Sequence, residues 1–255
     1  MITPDSTARF TDRVADYVRY RPDYPAALIE WLQRELGATP AWHVADVAAG
    51  TGISSKLFLD AGFRVTAVEP NAAMRDAAFA WLGGNPRFRA VGGRADATGL
   101  DDGSIDLVTV AQAFHWFDPK TTRREFQRIL RPHGIVAIWW NSRRLAGTPF
   151  LAGYEALLRR FGTDYASVAE CYADDARMRR WFGRGLRGSA HFDHRQHLDF
   201  NGLRGRLMSS SYAPPAGHPD HAPMLRALRG LFDATAVDGH VDMDYDTRVF
   251  AGEVG

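Results

Sequence analysis

Between Asp46 and Gly52 the chain reads Asp-Val-Ala-Ala-Gly-Thr-Gly, a bend of small residues between two apolar runs. Small side chains let a ligand come close to the backbone. A helix starting just beyond would add unpaired amide hydrogens and a partial positive charge. Glu69 follows Gly52 by seventeen residues and closes the next apolar run. A carboxylate there can accept both hydroxyls of an adenosine ribose. Asp46, four residues before Gly50, would repel phosphates and attract an ammonium group. His115 follows a later apolar run, and an ordinary imidazole titrates near pH 6.5, so it is the candidate general base. The competing reading is a structural histidine that hydrogen-bonds its own loop.

The elements that must position these groups alternate. Residues 26–36 carry apolar positions at helical spacing. Residues 44–48 form a short strand, 53–61 a helix, and 63–68 a second strand ending at Glu69. A helix over 71–82 precedes strands at 88–91 and 105–111. Asp118 caps the next helix, with Pro119 at its first position; the helix runs to Leu130 and precedes a fifth strand at 135–140. Repeated strand–helix units imply a parallel sheet covered on both faces. Such sheets bind ligands beyond the carboxyl ends of their strands. After Asn141 the alternation stops. Residues 150–161, 173–182 and 224–235 read as helices, 190–200 and 241–251 as strands, and 209–219 as a loop.

This bend does not by itself separate S-adenosylmethionine (SAM) from NAD. The dinucleotide pattern is G-x-G-x-x-G, and Ser55 stands where its third glycine would be. Together with Asp46 this favours SAM and leaves an NAD-linked oxidoreductase as the alternative enzyme. A non-catalytic SAM-binding protein is the alternative outside catalysis.

The stretch Asp46–Gly52 resembles motif I of class I SAM-dependent methyltransferases, with Ala48 where that family usually has glycine. Val68-Glu69-Pro70-Asn71 resembles the second motif. Gly93–Ala97 with Ser104–Val108 is similar to the adenine-binding loop and fourth strand. Gln112–Phe117 resembles the post-strand motif of the type 11 subgroup, which includes relatives of trans-aconitate methyltransferase, as does Tyr17–Pro25 at the N-terminus. The resemblance implies a Rossmann-like α/β fold: a seven-stranded, mostly parallel sheet, its last strand antiparallel, with helices on both faces. Residues 1–141 would be the SAM-binding core, and 142–255 a helical cap plus the last strands. It implies that Glu69 binds the ribose, that Asp96 binds the adenine amino group, and that Arg21 or Tyr17 closes over the methionine end. Asp46, Ala48, Ala49, Gly50, Thr51, Gly52, Pro70, Met74, Ala97, Gln112 and Phe114 complete the expected cofactor set.

In SAM the methyl group is already activated by the positive sulfur, so the protein mainly supplies alignment and a dry site. A base is needed for an alcohol, phenol or amine acceptor and is dispensable for a carboxylate, which is ionised at pH 7. His115, Trp116, Trp140 and Tyr212 are the expected substrate contacts. Strand alternation lets only one of Trp139 and Trp140 face the site. Arg143 and Arg144 are either anion-binding or solvated. His191 and His197 fall on one strand face with Asp193, Arg195 and Asp199, and His194 on the other; this reads as a solvent face rather than a metal site.

Composition bounds the rest. The 255 residues carry 31 basic and 30 acidic groups and a net charge of +1, which argues against nucleic acid as partner; the small-molecule acceptor is an expectation of the methyltransferase reading. No stretch approaches the roughly 20 apolar residues of a membrane span. The single cysteine, Cys171, and the absence of a visible signal peptide fit a cytoplasmic protein.

Overall fold

A computed structural model describes residues 19–165 and 175–255. Helix α1 (Ala27–Leu36) leads into β1 (His43–Val47), α2 (Ile53–Asp60), β2 (Arg64–Val68), α3 (Ala72–Leu82), β3 (Phe88–Val91) and β4 (Ile105–Ala111). There follow a 3-10 turn (Phe114–Trp116), α4 (Pro119–Ile129), β5 (Leu130–Arg143), α5 (Pro149–Phe161), α6 (Asp175–Phe182), β6 (Leu186–Leu198), α7 (Phe200–Met208), α8 (His221–Thr235) and β7 (Val241–Gly252). The seven strands form one sheet in the order β3-β2-β1-β4-β5-β7-β6. Strands β1 to β5 run parallel, and β7 is antiparallel to both β5 and β6. This is the expected seven-stranded α/β sheet. Strand order reverses between β1 and β4, the point at which such sheets bind ligands.

Strand periodicity sorts the core into two layers. Val44, Leu107, Ala137 and Trp139 point to one face and pack with Leu28, Leu32 and Phe58. Ala45, Val108, Val110, Val136, Ile138 and Trp140 point to the other and pack with Phe126, Ile129, Trp181 and Phe182. Helices α5, α7 and α8 bury a third cluster against the ends of β6 and β7. The second half of the chain therefore shares the sheet and adds a helical cluster at its edge.

Several local signals act as read. Asp118 accepts from the Lys120 and Thr121 amides, with Pro119 behind it. Two do not. Helix α7 contains Gly202 and Gly205, which lower helix propensity, and the sequence reading missed it. Gly205 is needed because the Tyr20 ring lies where a side chain would start: a Cβ would meet its Cδ2 at 2.2 Å. Asp199, expected on the exposed face of β6, instead caps α7 by accepting the Gly202 amide at 2.6 Å. His191 and His197 do lie on the exposed face, paired with Asp246 and Asp242, while His194 turns the other way and pairs with Asp23 at 3.0 Å.

Candidate functional site

The bend after β1 is built from left-handed residues. Ala48, Gly50 and Gly52 have φ of 57°, 57° and 90°. Glycine adopts these values without strain, whereas alanine at 48 carries about 1 kcal/mol of it. A Cβ on Gly52 would meet Leu82 Cδ1 at 2.7 Å, so this glycine lets α3 pack against the start of α2; a Cβ on Gly50 would meet nothing within 4 Å and faces open space. Between them Thr51 is 1% exposed, and its hydroxyl has no hydrogen-bond partner among the described residues. An orphaned buried hydroxyl in a bend with an open side fits a polar ligand arriving there.

Glu69 ties this bend to β2. Its Oε2 accepts the Gly50 amide and its Oε1 the Asn71 amide, both at 2.9 Å. Burial pushes its pKa up, against the pull of those two amides. Each oxygen keeps a further lone pair for a hydroxyl donor. The Glu69 carbonyl accepts from Arg75. Pro70 is half-buried and Met74 buried on α3, whose cap is Asn71.

Asp46 requires a correction. It is fully buried, and its carboxylate accepts from Ser54 Oγ and Ser55 Oγ at 2.6 Å and from Thr109 Oγ1 at 3.0 Å. Burial raises its pKa. It faces these hydroxyls rather than an ammonium group, and it locks β1 to α2 and β4.

The loop after β3 is held from below. Glu125 on α4 accepts the Thr98 amide at 2.8 Å and hydroxyl at 2.5 Å, and it pairs with Arg128 at 2.7 Å. The Arg128 hydrogen bonds, opposed by burial and aided by Thr98, lower Glu125 to about 2. An isolated bridge joins Arg94 and Ala97, and Asp96 at its tip is exposed and pairs with Arg94 at 3.1 Å.

The post-β4 turn departs from expectation. Gln112 adopts φ 60° and lies between β4 and β5, its amide donating to the Trp139 carbonyl. Phe114, read as a cofactor contact, is 1% exposed and packs edge-on against Trp181 at 4.8 Å; it belongs to the core. Trp140, read as a substrate contact, is also core, as is Trp139: both are buried, on opposite faces. Trp140 Nε1 donates to His115 Nδ1 at 3.5 Å. Burial, with Arg177 adding repulsion, lowers His115 to about 4. That shift favours the neutral ring in the fold. Trp116 is half-buried, its ring 4.7 Å from that of His115.

Residues 19–25 cross the ends of β5 and β6. Asn141 Nδ2 donates to the Asp23 carbonyl, Gln196 Nε2 to that of Tyr20, and Arg21 Nη2 to that of Ser209. Arg21 is thereby fixed against the cap; Tyr17 lies outside the described residues. Tyr212 is buried in the cap cluster, its ring 5.1 Å from that of Tyr165. Arg143 is half-buried and paired with Glu155 at 2.6 Å, while the Arg144 side chain is more open and pairs with Asp193. Sequence reasoning missed Thr51 as an orphan, Glu125 as the loop's support, and Arg206 altogether; no periodic signal marks a buried arginine.

Comparison with known proteins places these features. Residues 45–138 match the family model of a methyltransferase domain, type 11. An uncharacterized methyltransferase of Mycobacterium tuberculosis is 40% identical over 139 residues, 54% of each chain. The matched stretch thus spans about half the length of the curated relatives. A structure from Anaeromyxobacter dehalogenans, provisionally described as a type II methyltransferase, has a TM-score of 0.67 at 23% identity, covering 92% of this chain and 98% of that one. Another, from Anabaena variabilis and provisionally described as a methyltransferase of antibiotic biosynthesis, has a TM-score of 0.62 at 19% identity over 92% and 98%. These structures share the fold.

Proposed function

We propose that this chain is a SAM-dependent methyltransferase that acts on a small-molecule acceptor by in-line displacement. The observation that carries the reading is the Gly50–Glu69 clasp, which sets a carboxylate with spare lone pairs beside an open-sided bend containing the orphaned Thr51 hydroxyl. The methyltransferase-domain match covers this same region.

When bound, SAM supplies a methyl group on a positive sulfur. Glu69 accepts the ribose hydroxyls, and the loop ending in Asp96 and Ala97 takes the adenine edge. The backbone of 48–52 and the Thr51 hydroxyl meet the methionine end, with residues 19–25 above them. Gln112 and His115 border the acceptor, and His115 acts there as a neutral hydrogen-bonding group. Alignment of acceptor and methyl is the main catalytic contribution, which can amount to roughly 7–11 kcal/mol.

Residues 1–141 hold the donor in this reading, and 142–255 form the acceptor cap. The sequence likeness to relatives of trans-aconitate methyltransferase is part of it. A net charge of +1 supports a small molecule over nucleic acid. Among the described residues, no helix is long and apolar enough to cross a membrane, and we place the protein in the cytoplasm. Titration calorimetry tests the donor: S-adenosylhomocysteine binds and NAD gives no heat. Binding of NAD with silence towards S-adenosylhomocysteine would replace this reading by the oxidoreductase one.

A further inference from the structure

The strap formed by residues 19–25 is fastened at one end of the sheet. Strand β6 runs parallel to β5, since both are antiparallel to β7. Asn141, His194 and Gln196 therefore all sit towards the carboxyl ends, where such sheets take their ligands. Asn141 Nδ2 donates to the Asp23 carbonyl at 2.8 Å, and its Oδ1 accepts from the Thr247 hydroxyl at 2.7 Å. The Asn141 carbonyl accepts from Gln112 Nε2 at 3.4 Å, so the strap's anchor also touches the turn after β4. Gln196 Nε2 donates to the Tyr20 carbonyl at 3.2 Å, and Arg21 Nη2 to that of Ser209 at 2.9 Å. These fastenings join amides, carbonyls and a guanidinium, none of which changes charge between pH 6 and 8. Among the described residues one fastening does. His194 Nε2 lies 3.0 Å from Asp23 Oδ1, with the imidazole side chain 13% exposed and the carboxylate 82% exposed. Contact with His194, opposed by burial, lowers the Asp23 pKa. The carboxylate is thus ionised throughout that range, and imidazole is the side chain whose charge ordinarily changes within it.

The groups around the pair are these. On β7 the register partner of His194 is Tyr245, their rings 6.1 Å apart, and Arg206 on α7 donates to the hydroxyl of that tyrosine at 3.1 Å. Phe192 and Gln196 on β6, and Met243 and Thr247 on β7, flank the two rings and are uncharged. Helix α1 meets β6 through Trp31 against Gly188. Within the strap, Arg19 lies over the Tyr20 ring, and Tyr20 and Tyr24 pack on Gly205 and Trp139. Lys56 on α2 acts on Asp23 through its charge and pairs with Asp60 at 2.5 Å. When the His194 ring carries its second proton the contact with Asp23 is an ion pair; the neutral ring can offer at most an ordinary hydrogen bond, about half as strong. We propose that His194 is a positioning residue whose protonated form latches residues 19–25 through Asp23 and so retains the donor beneath them, making donor affinity depend on pH. The inference rests on the methyltransferase reading. A strap closed over the donor favours the imidazolium, so binding takes up part of a proton and tightens as pH falls through the histidine range. Solvent around Asp23 screens the pair, which limits the effect to about fivefold.

The test is titration calorimetry of the full chain with S-adenosylhomocysteine at pH 6 and pH 8 and matched ionic strength. Glu69, whose pKa burial raises, and the ligand's own amino group also respond to pH. The quantity read is therefore the ratio of variant to parent Kd at each pH, in which those contributions cancel. Asp23→Asn weakens binding about fivefold at pH 6 and less than about twofold at pH 8. His194→Gln gives the same pattern, and the double variant loses no more than either alone, because both remove one contact. Should His194→Gln fail to fold, Asp23→Asn, at a side chain mostly in solvent, still decides. A ratio of one at pH 6, or the same ratio at both pH values, overturns the proposal. So do losses that add in the double variant. A parent chain that ignores S-adenosylhomocysteine at both pH values removes the methyltransferase reading and the latch with it, whereas parental binding with a flat ratio removes the latch alone.

Discussion

Replacing Glu69 with glutamine separates the clasp's structural work from its binding work. In the parent chain both carboxylate oxygens accept backbone amides at 2.9 Å. Glutamine keeps one acceptor and turns an NH2 towards the other amide, donor against donor. Losing a charge-assisted hydrogen bond costs about 1.5–3 kcal/mol. In the free protein that loss is offset, because a charge whose burial raises its pKa is removed as well. The expected fall in stability is therefore small, about 1 kcal/mol. In the complex the loss includes an acceptor for the ribose diol, and affinity should fall by about 3 kcal/mol, roughly a hundredfold. Calorimetry with S-adenosylhomocysteine reads the second quantity and thermal unfolding the first. Glu69→Asp, which keeps the charge but shortens the reach, should fall between. A folded Glu69→Gln variant with parental affinity would refute the assignment of the ribose to this carboxylate.

Other outcomes follow from the same contacts. Ala48→Gly should be neutral to stabilising, by up to about 1 kcal/mol, since it relieves a left-handed alanine at some entropic cost; a clear drop in Tm would contradict this. Glu125, lowered to about 2, contributes stability that is present above its unfolded pKa of 4.5 and is lost as pH falls towards 2. Glu125→Gln should therefore cost about 2–3 kcal/mol at pH 7 and progressively less in acid, as chemical denaturation at several pH values would reveal. His115, lowered to about 4, is disfavoured as a cation in the fold. Stability should decline as pH falls from 6.5 towards 4, by about 2 kcal/mol from this residue, and an NMR titration showing the ring protonated at pH 6 would contradict it.

Much of the fold was legible because it is encoded locally. The apolar run of β2 lies between Gly62 and Glu69, that of β4 begins two residues after Gly103, and Asp118-Pro119 marks a helix start. The bend and the end of β2 at Glu69 were legible because small residues break the first apolar run and a carboxylate stops the second. What escaped depends on tertiary partners. Asp46 turns to hydroxyls contributed by α2 and β4, and Thr109 is 63 residues away. Phe114 and Trp140 are aromatics next to a crevice, and only the packing of Trp181 and of β5 shows them as core. His115 has an unperturbed pKa in sequence and a depressed one in the fold. Arg206 lies in a glycine-containing helix, where no one-dimensional pattern marks a buried arginine.

The most direct test of the central claim is a crystal structure of the chain grown with S-adenosylhomocysteine. The account predicts the ribose hydroxyls on Glu69, the adenine beside Asp96 and Ala97, and the amino-acid tail over residues 48–52. Density for the ligand elsewhere, or none in that crevice at saturating concentration, would contradict it.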